Sequence, residues 1–377
     1  MMANNRVPDL DFGLGDIPAS PPVHYAEQAL LGALLLDPYR IKSLGSLDAS
    51  HFANVRHRAL FAAMAFLTPP EPALHAKEPV WINAVHAHAL PRSRGLAQSY
   101  LHTLAAACPE PAHAPAYARM VRADHARRTV RTHADLLVQA ATDAALPDPV
   151  AVTLAQADAL ACVLDHLATA FPSHPGSLPR AMPPPTPARD SGPDAVSEEQ
   201  LLVSTAAAYP TGLASMRWLR PEDFAVPLHG ALYRCLTSLT TRGDPVDEVT
   251  VLWEAQQHGL LTPAFTAQDA LDMLSAGAGV PEHWGEQILR RSLLHHAHTA
   301  GLHIQAFSQD LANSPHQLVT GSRRALADLT SVRARWQHAT GQTPAERPRP
   351  RPAPASRAGP PTPRTTRAPT VSARSSR

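Results

Sequence analysis

Residues 47–67 read LDASHFANVRHRALFAAMAFL, and residues 219–239 read LRPEDFAVPLHGALYRCLTSL. The second stretch repeats the first at a constant displacement of 172 positions: Leu47 answers Leu219, Phe52 answers Phe224, and His57 answers His229. Ala59-Leu60-Phe61 is matched by Ala231-Leu232-Tyr233, Met64 by Leu236, and Leu67 by Leu239. The register continues upstream without a gap, with Glu27-Gln28 opposite Glu199-Gln200 and Leu30 opposite Leu202. So long a period does not describe a solenoid of small repeats, and each copy reads as a domain of its own.

Positions 57, 60, 61, 64 and 67 advance by three or four, as do 229, 232, 233, 236 and 239, which puts each set on one face of a helix. Phe52 and Phe224 stand just ahead of their helices and are expected to tuck the entry turn into a core. The residues that define each core are therefore Leu30, Phe52, His57, Leu60 and Phe61, then Leu202, Phe224, His229, Leu232 and Tyr233. His57 and His229 admit two readings, as ligand or base, or as half-buried histidines hydrogen-bonded to a neighbouring turn. Neither has a carboxylate, a Cys or a second His at helical spacing, which favours the second reading.

The chain has 377 residues, room for two or three domains. It is rich in Ala and Leu and poor in aromatics, at 5%, so the expected class is all-α. Formal net charge is +1, but residues 342–377 carry eight Arg against one Glu. Cys108, Cys162 and Cys235 form no CxxC pair, which suits a reducing cytoplasm. No secretory signal is visible at MMANNRVPDLDFGLGD, and no run approaches eighteen uncharged apolar residues, so no membrane span is expected.

In chain order, residues 1–20 read as a disordered leader and 21–171 as the first domain. Its expected helices begin near Pro22, at Tyr39–Leu47, at the repeated stretch, at Val80–Ala89 and at Leu96–Ala107, with a long pair over Tyr117–Ala145 and Val150–Phe171. Residues 172–195 have too little apolar surface to offset the entropy of ordering and read as an extended, mobile linker. The second domain, 196–340, is expected to open on a capping box, Ser197 to Gln200, and to end in helices over Trp284–Leu311 and Pro315–His338. The short connections make each closing pair a hairpin. Residues 341–377 read as a disordered tail.

The segments AEQALLGALLLDPYRI, DASHFANVRHRALFAAM and YLHTLAAACPEPAHAPAYARMVRADHARR of the first copy resemble the N-terminal domain of DnaB-type replicative DNA helicases. The second copy best keeps the middle piece, GDPVDEVTVLWEAQQHGLL, which the first blurs into EPVWINAVHAHAL. The resemblance implies an all-α bundle ending in a helical hairpin, pairing through the hairpins, a collar around a helicase ring, and a surface for primase. In that family ATP hydrolysis belongs to a separate RecA-like domain. Here neither Lys42 nor Lys77 ends a Gly-rich phosphate loop.

The expected role is therefore non-catalytic: an interaction protein that meets a replicative helicase, a primase or both, with its two domains paired within the chain or as a homo-oligomer. The alternatives are a component of an ATP-unwinding helicase and a nucleic-acid binder. For the binder, tail residues Arg347, Arg349, Arg351, Arg357, Arg364 and Arg367 are the expected contacts, weak and salt-dependent. Arg119, Arg122, Arg127, Arg128 and Arg131 either hold phosphates or pair with Asp124 and Asp135. The run LLHHAHTAGLH brings His295 and His298 to one helix face, as a metal site or a solvated face. No HExxH, GxSxG or dinucleotide loop is present, and no cofactor, metal or catalytic residue is expected.

Overall fold

The computed structural model describes residues 20–341 apart from 76, 181, 190, 276 and 278, and the described part is all-α, with a single isolated β-bridge between Thr262 and Phe265. Helix α1 (Pro22–Leu36) starts on a proline, whose missing N–H costs nothing in a first turn, and ends before Asp37-Pro38. It is followed by a 3-10 turn over Pro38–Ser43, where a helix to Leu47 was expected; Gly45, at φ 69°, ends it. Asp48 caps the next turn through Ser50 N at 2.8 Å, and Asn54 caps α2 (Val55–Phe66) through Arg56 N at 2.8 Å. Short α3 (Pro72–His75), α4 (Val80–Ala89) and α5 (Gln98–Ala106) complete the first body. Helix α6 (Ala114–Thr142) then turns back into α7 (Pro149–Ala170), which Asp148 caps through Ala151 N at 3.0 Å.

The second copy repeats the order with α8 (Pro193–Ala208), α9 (Pro227–Arg242), α10 (Glu248–Gln257), α11 (Ala267–Ser275), α12 (Pro281–Gln309) and α13 (Pro315–Ala339). Helix α8 opens at Pro193 behind Gly192, so Ser197 lies inside it and caps nothing; the proline outcompeted the expected capping box. A capping box does stand at α13, where Ser314 and Gln317 bond each other's backbone.

The hairpins α6–α7 and α12–α13 pack together as four helices. The buried residues of α6 match those of α12 at a spacing of 167: Ala114 with Pro281, Val121 with Ile288, Val130 with Ala297, Leu137 with Ile304 and Ala140 with Phe307. Ala134 and Gly301 correspond at the same spacing and also meet, since a Cβ on Gly301 would stand 3.3 Å from the Ala134 carbonyl oxygen. The copies are thus related by a local pseudo-twofold through this contact, with α6 and α12 antiparallel. Arg127 fixes one end of the crossing by donating to the carbonyls of Ser308 (3.3 Å), Asp310 (2.7 Å) and Asn313 (2.6 Å) at the close of α12. Asp135 accepts from Gln305 at 2.8 Å. On α13, Arg333 and Arg323 reach Asp158 (2.5 Å) and Asp165 (2.6 Å) of α7.

The segment between α7 and α8 has no helix or strand among its described residues, and it meets α12 and α13 through carbonyls that serve as acceptors. Pro172 O bonds His316 at 2.7 Å, Leu178 O bonds Gln317 at 2.9 Å, and Pro184 O bonds His303 at 3.1 Å. Helix α7 is also long and apolar enough, at mean hydropathy 1.4, to cross a membrane on length and composition. Its Val150, Leu160 and Leu164 are buried in the bundle, and Asp158 and Asp165 are spent on α13.

Apolar burial divides into two cores. One holds α1, α2, α4, α5 and the start of α6, down to Val121. The other runs unbroken from α8–α11 through the four-helix bundle and takes up α6 again at Val130.

Candidate interaction site

Each copy is built around one buried acid–histidine pair. Glu27 on α1 lies within 2.6 Å of His57 Nδ1 on α2 and also accepts from Ala53 N at 2.5 Å and Asn54 N at 3.4 Å. Glu199 on α8 repeats this with His229 Nδ1 at 2.9 Å, Ala225 N at 2.5 Å and Val226 N at 3.1 Å. All four residues are buried, so the turn entering each organising helix is held by a carboxylate from the first helix. The turn bonds anticipated for the histidines are made by these carboxylates, 30 residues upstream of their histidines. The signal was the matched Glu27 and Glu199, which periodicity within one helix cannot interpret. Beside the pair, Phe52 lies 4.9 Å from Phe61 and Phe224 lies 5.2 Å from Tyr233, both tilted. Leu30, Leu60, Leu202 and Leu232 are fully buried with them.

Gly32 gives α1 its close approach to α5: a Cβ there would stand 2.1 Å from the Leu104 carbonyl oxygen. In the second copy Ser204 holds that position and Gly277 makes the approach, 3.0 Å from the Ser204 carbonyl oxygen to a built Cβ.

The copies part company where each body meets its hairpin. In the second, Asp223 is buried and accepts from both terminal guanidinium nitrogens of Arg335 from α13, Nη2 at 2.9 Å, and from Ser292 Oγ of α12 at 2.7 Å. Arg335 also donates to Trp218 O at 3.0 Å. By the register of the duplication these three positions are His51, His125 and His166 in the first copy: Asp223 by the 172 spacing, Ser292 by 167, and Arg335 by the 169 spacing that relates Val150 to Val319 and Leu160 to Leu329. The rings of His51 and His125 lie 4.5 Å apart and tilted, and burial pulls both imidazoles below the usual histidine range. All three histidines line a cleft of about 980 Å³.

A smaller cavity of about 410 Å³ lies on the other side of the pseudo-twofold, lined by Arg189, Glu199, Asp223, Arg291, His295 and His298 among others. Its charges are mixed, and Arg291 pairs with Glu198. Burial, with Arg189 alongside, pushes His295 down to about 4. His296 bonds Ser292 O at 2.7 Å and His303 bonds Pro184 O, so the histidine run is divided among separate partners. Among the described residues no group of His, Cys, Asp and Glu is placed to hold a metal ion.

Of the helix α6 arginines, Arg127 caps α12 and Arg128 is spent on Asp124 (2.8 Å) and His51 O (2.7 Å). Arg119 and Arg122 enter the large cleft, and Arg131 is exposed. The six tail arginines, Arg347 to Arg367, lie outside the described residues.

The DnaB-like helicase N-terminal domain family matches residues 19–123 and again 192–284, just over half of the chain. No curated protein and no solved structure matches it. Both family matches stop within the first turns of the long helices α6 and α12, so the family pattern covers the two bodies and the buried pairs, and the hairpins continue beyond it. The chain belongs to the DnaB-like helicase N-terminal domain family and carries that domain twice.

Proposed function

We propose that this chain is a non-catalytic replication protein that presents a helicase-collar-like surface to a replicative helicase, a primase or both, from the cytoplasm. Its working units are residues 21–171 and 196–340, joined through 172–195. The observation that carries the reading is the pseudo-twofold pairing of α6–α7 with α12–α13 inside one chain. A hairpin pairing between two chains would be paid for in concentration; here the linker makes it intramolecular. The product is a single-chain counterpart of a domain dimer, with its pairing surface already occupied. Both family matches being to the N-terminal domain supports a role in assembly over one in ATP hydrolysis.

Size-exclusion chromatography with light scattering, followed by pull-down against the helicase and primase of the source cell, tests this. A monomer that captures one of them is expected; a monomer that captures neither overturns the assignment. An ATPase assay separates it from an unwinding enzyme, for which turnover would be required. A second reading, nucleic-acid binding through the tail, is favoured by the eight arginines against one glutamate after residue 341. It predicts that substituting Arg347, Arg349, Arg351, Arg357, Arg364 and Arg367 by Gln abolishes DNA binding with helix content unchanged.

A further inference from the structure

The cleft of about 980 Å³ in the first copy is bounded by the start of α6, the end of α7 and the N-terminus of α13. Its lining includes Arg119, Arg122, His51, His125, His166 and His316, and no carboxylate. Among the described residues Arg119 and Arg122 make no ion pair or side-chain hydrogen bond. Their forks are therefore uncommitted, unlike those of Arg127 and Arg128 on the same helix. The acidic groups whose charge reaches His51 and His125 are engaged elsewhere: Asp48 caps a turn through Ser50 N, and Asp124 is paired with Arg128 at 2.8 Å. His125 Nδ1 is buried with no hydrogen-bond partner. The second copy shows what a closed version of this corner requires: an acid, Asp223, neutralised by Arg335. In the first copy that acid is absent, the corner stays open, and cationic groups and flat rings face into it.

We propose that this cleft holds a single-stranded nucleic-acid segment, with phosphates on Arg119 and Arg122 and bases against the rings of His166, His316 and Phe171. Guanidinium forks match phosphate oxygens in pairs. Planar side chains stack on any base, a contact that a carboxylate-bearing peptide does not use. The volume lies at the upper end of the small-ligand range of about 300–1,000 Å³, well beyond one inorganic phosphate. Phe171 and His316 meet edge to face at 6.0 Å, and His174 lies 4.8 Å from His316, so the rings form one short row leading from the cleft. The site belongs to the folded body and stands whether or not the chain engages a helicase.

Fluorescence anisotropy of the full chain with a labelled, short single-stranded DNA, titrated with salt, reads the site directly. The R119Q/R122Q double variant is expected to bind about tenfold more weakly at low salt. It should also lower the log–log salt slope by about 1.4, at about 0.7 for each lost phosphate contact on a single strand. Tail binding alone predicts affinity and slope unchanged in that variant, and such a result overturns the proposal. So does equal displacement of the DNA by free mononucleotide, which would make the site a nucleotide pocket, or by poly-glutamate, which would make it a peptide groove. Should the double variant lose helix content, bromouridine photocrosslinking on the unaltered chain decides. Adducts at Met120, His166 or Phe171 support the cleft, and adducts confined to 342–377 overturn it.

Discussion

The two copies keep the same interior and differ at the seam where each body meets its hairpin. In the second, Asp223, Ser292 and Arg335 lock the 3-10 turn Pro221–Asp223, α12 and α13 together, and one apolar core runs from the body through the bundle. In the first, histidines occupy the three positions, and the apolar core stops at Val121 and resumes only at Val130. The acid–histidine pair is kept in both, where each carboxylate accepts from two turn amides and lies against its histidine, so that losing the acid strands three buried donors at once. The seam is different: its network can be exchanged as a whole, because water reaches what the network no longer fills.

The largest test of this contrast is removal of the carboxylates. Glu27→Ala and Glu199→Ala each leave a histidine and two turn amides buried without their acceptor, at a cost of about 3–5 kcal/mol. The costs should be alike and the unfolding patterns should not. Since the first body has its own core, Glu27→Ala is expected to split the calorimetric trace, with an early transition for residues 21–113. Glu199→Ala should lower the main transition as one unit, because its core is shared with the bundle. A single shifted peak in both variants would mean that the seam of the first copy couples as tightly as that of the second.

Next in size is the close approach of α1 to α5. Gly32→Ala places a methyl against the Leu104 carbonyl, a backbone atom that cannot swing aside, and should cost about 2–3 kcal/mol. Ser204→Ala, at the matching position, loses only bonds from Ser204 Oγ to Gln200 O and Leu201 O within its own helix. It should stay within about 0.5 kcal/mol in a urea titration. The two glycines, Gly32 and Gly277, stand on opposite sides of equivalent contacts. An equal loss from both substitutions would show that the second copy, too, depends on the α1-type side.

The histidines lining the two cavities also predict an acid response. Burial pushes His295 down to about 4 in the folded chain, and it pushes His51, His125 and His298 the same way. The unfolded chain therefore takes up protons first as pH falls. The contribution of His295 is complete above about 6.5, declines between 6.5 and 4, and is lost below that, and the other three act in the same direction. His295 alone should account for about 2 kcal/mol after allowance for solvent screening. Melting temperatures measured across that window should fall for the native chain and fall less steeply in His295→Gln.

Much of this was readable beforehand. The duplication, the all-α class, and the helix faces of His57–Leu67 and His229–Leu239 follow from spacing and residue type, which are local properties. The tie between Glu27 and His57 was written in the sequence as two matched glutamates. Its meaning needed the packing of α1 on α2, since nothing within one helix predicts a partner 30 residues away. The bonds that Pro172, Leu178 and Pro184 offer to α12 and α13 were not legible, because composition counts apolar side chains and overlooks carbonyls that a neighbouring helix can use. The histidine seam was least legible: its three positions follow three different spacings, 172, 167 and 169, and line up only once the helices are placed.

The smallest effect separates the copies within their shared interior. His57 Nε2 lies 2.7 Å from the Tyr100 hydroxyl, with the rings stacked at 6.1 Å, whereas His229 has no hydroxyl there among the described residues. In the neutral tautomer Nδ1 donates to Glu27 and Nε2 accepts from Tyr100, so the hydroxyl holds the ring in the form the carboxylate needs. Tyr100→Phe should cost about 1 kcal/mol, the worth of one part-buried hydrogen bond, and should act on the early transition that Glu27→Ala reveals. The nitrogen shift of His57 Nε2 in an NMR spectrum should then move toward that of His229 Nε2, and no shift at His229 is expected. A change at both histidines would mean that the two pairs sense each other through the bundle, and the separation of the first core from the second would have to be given up.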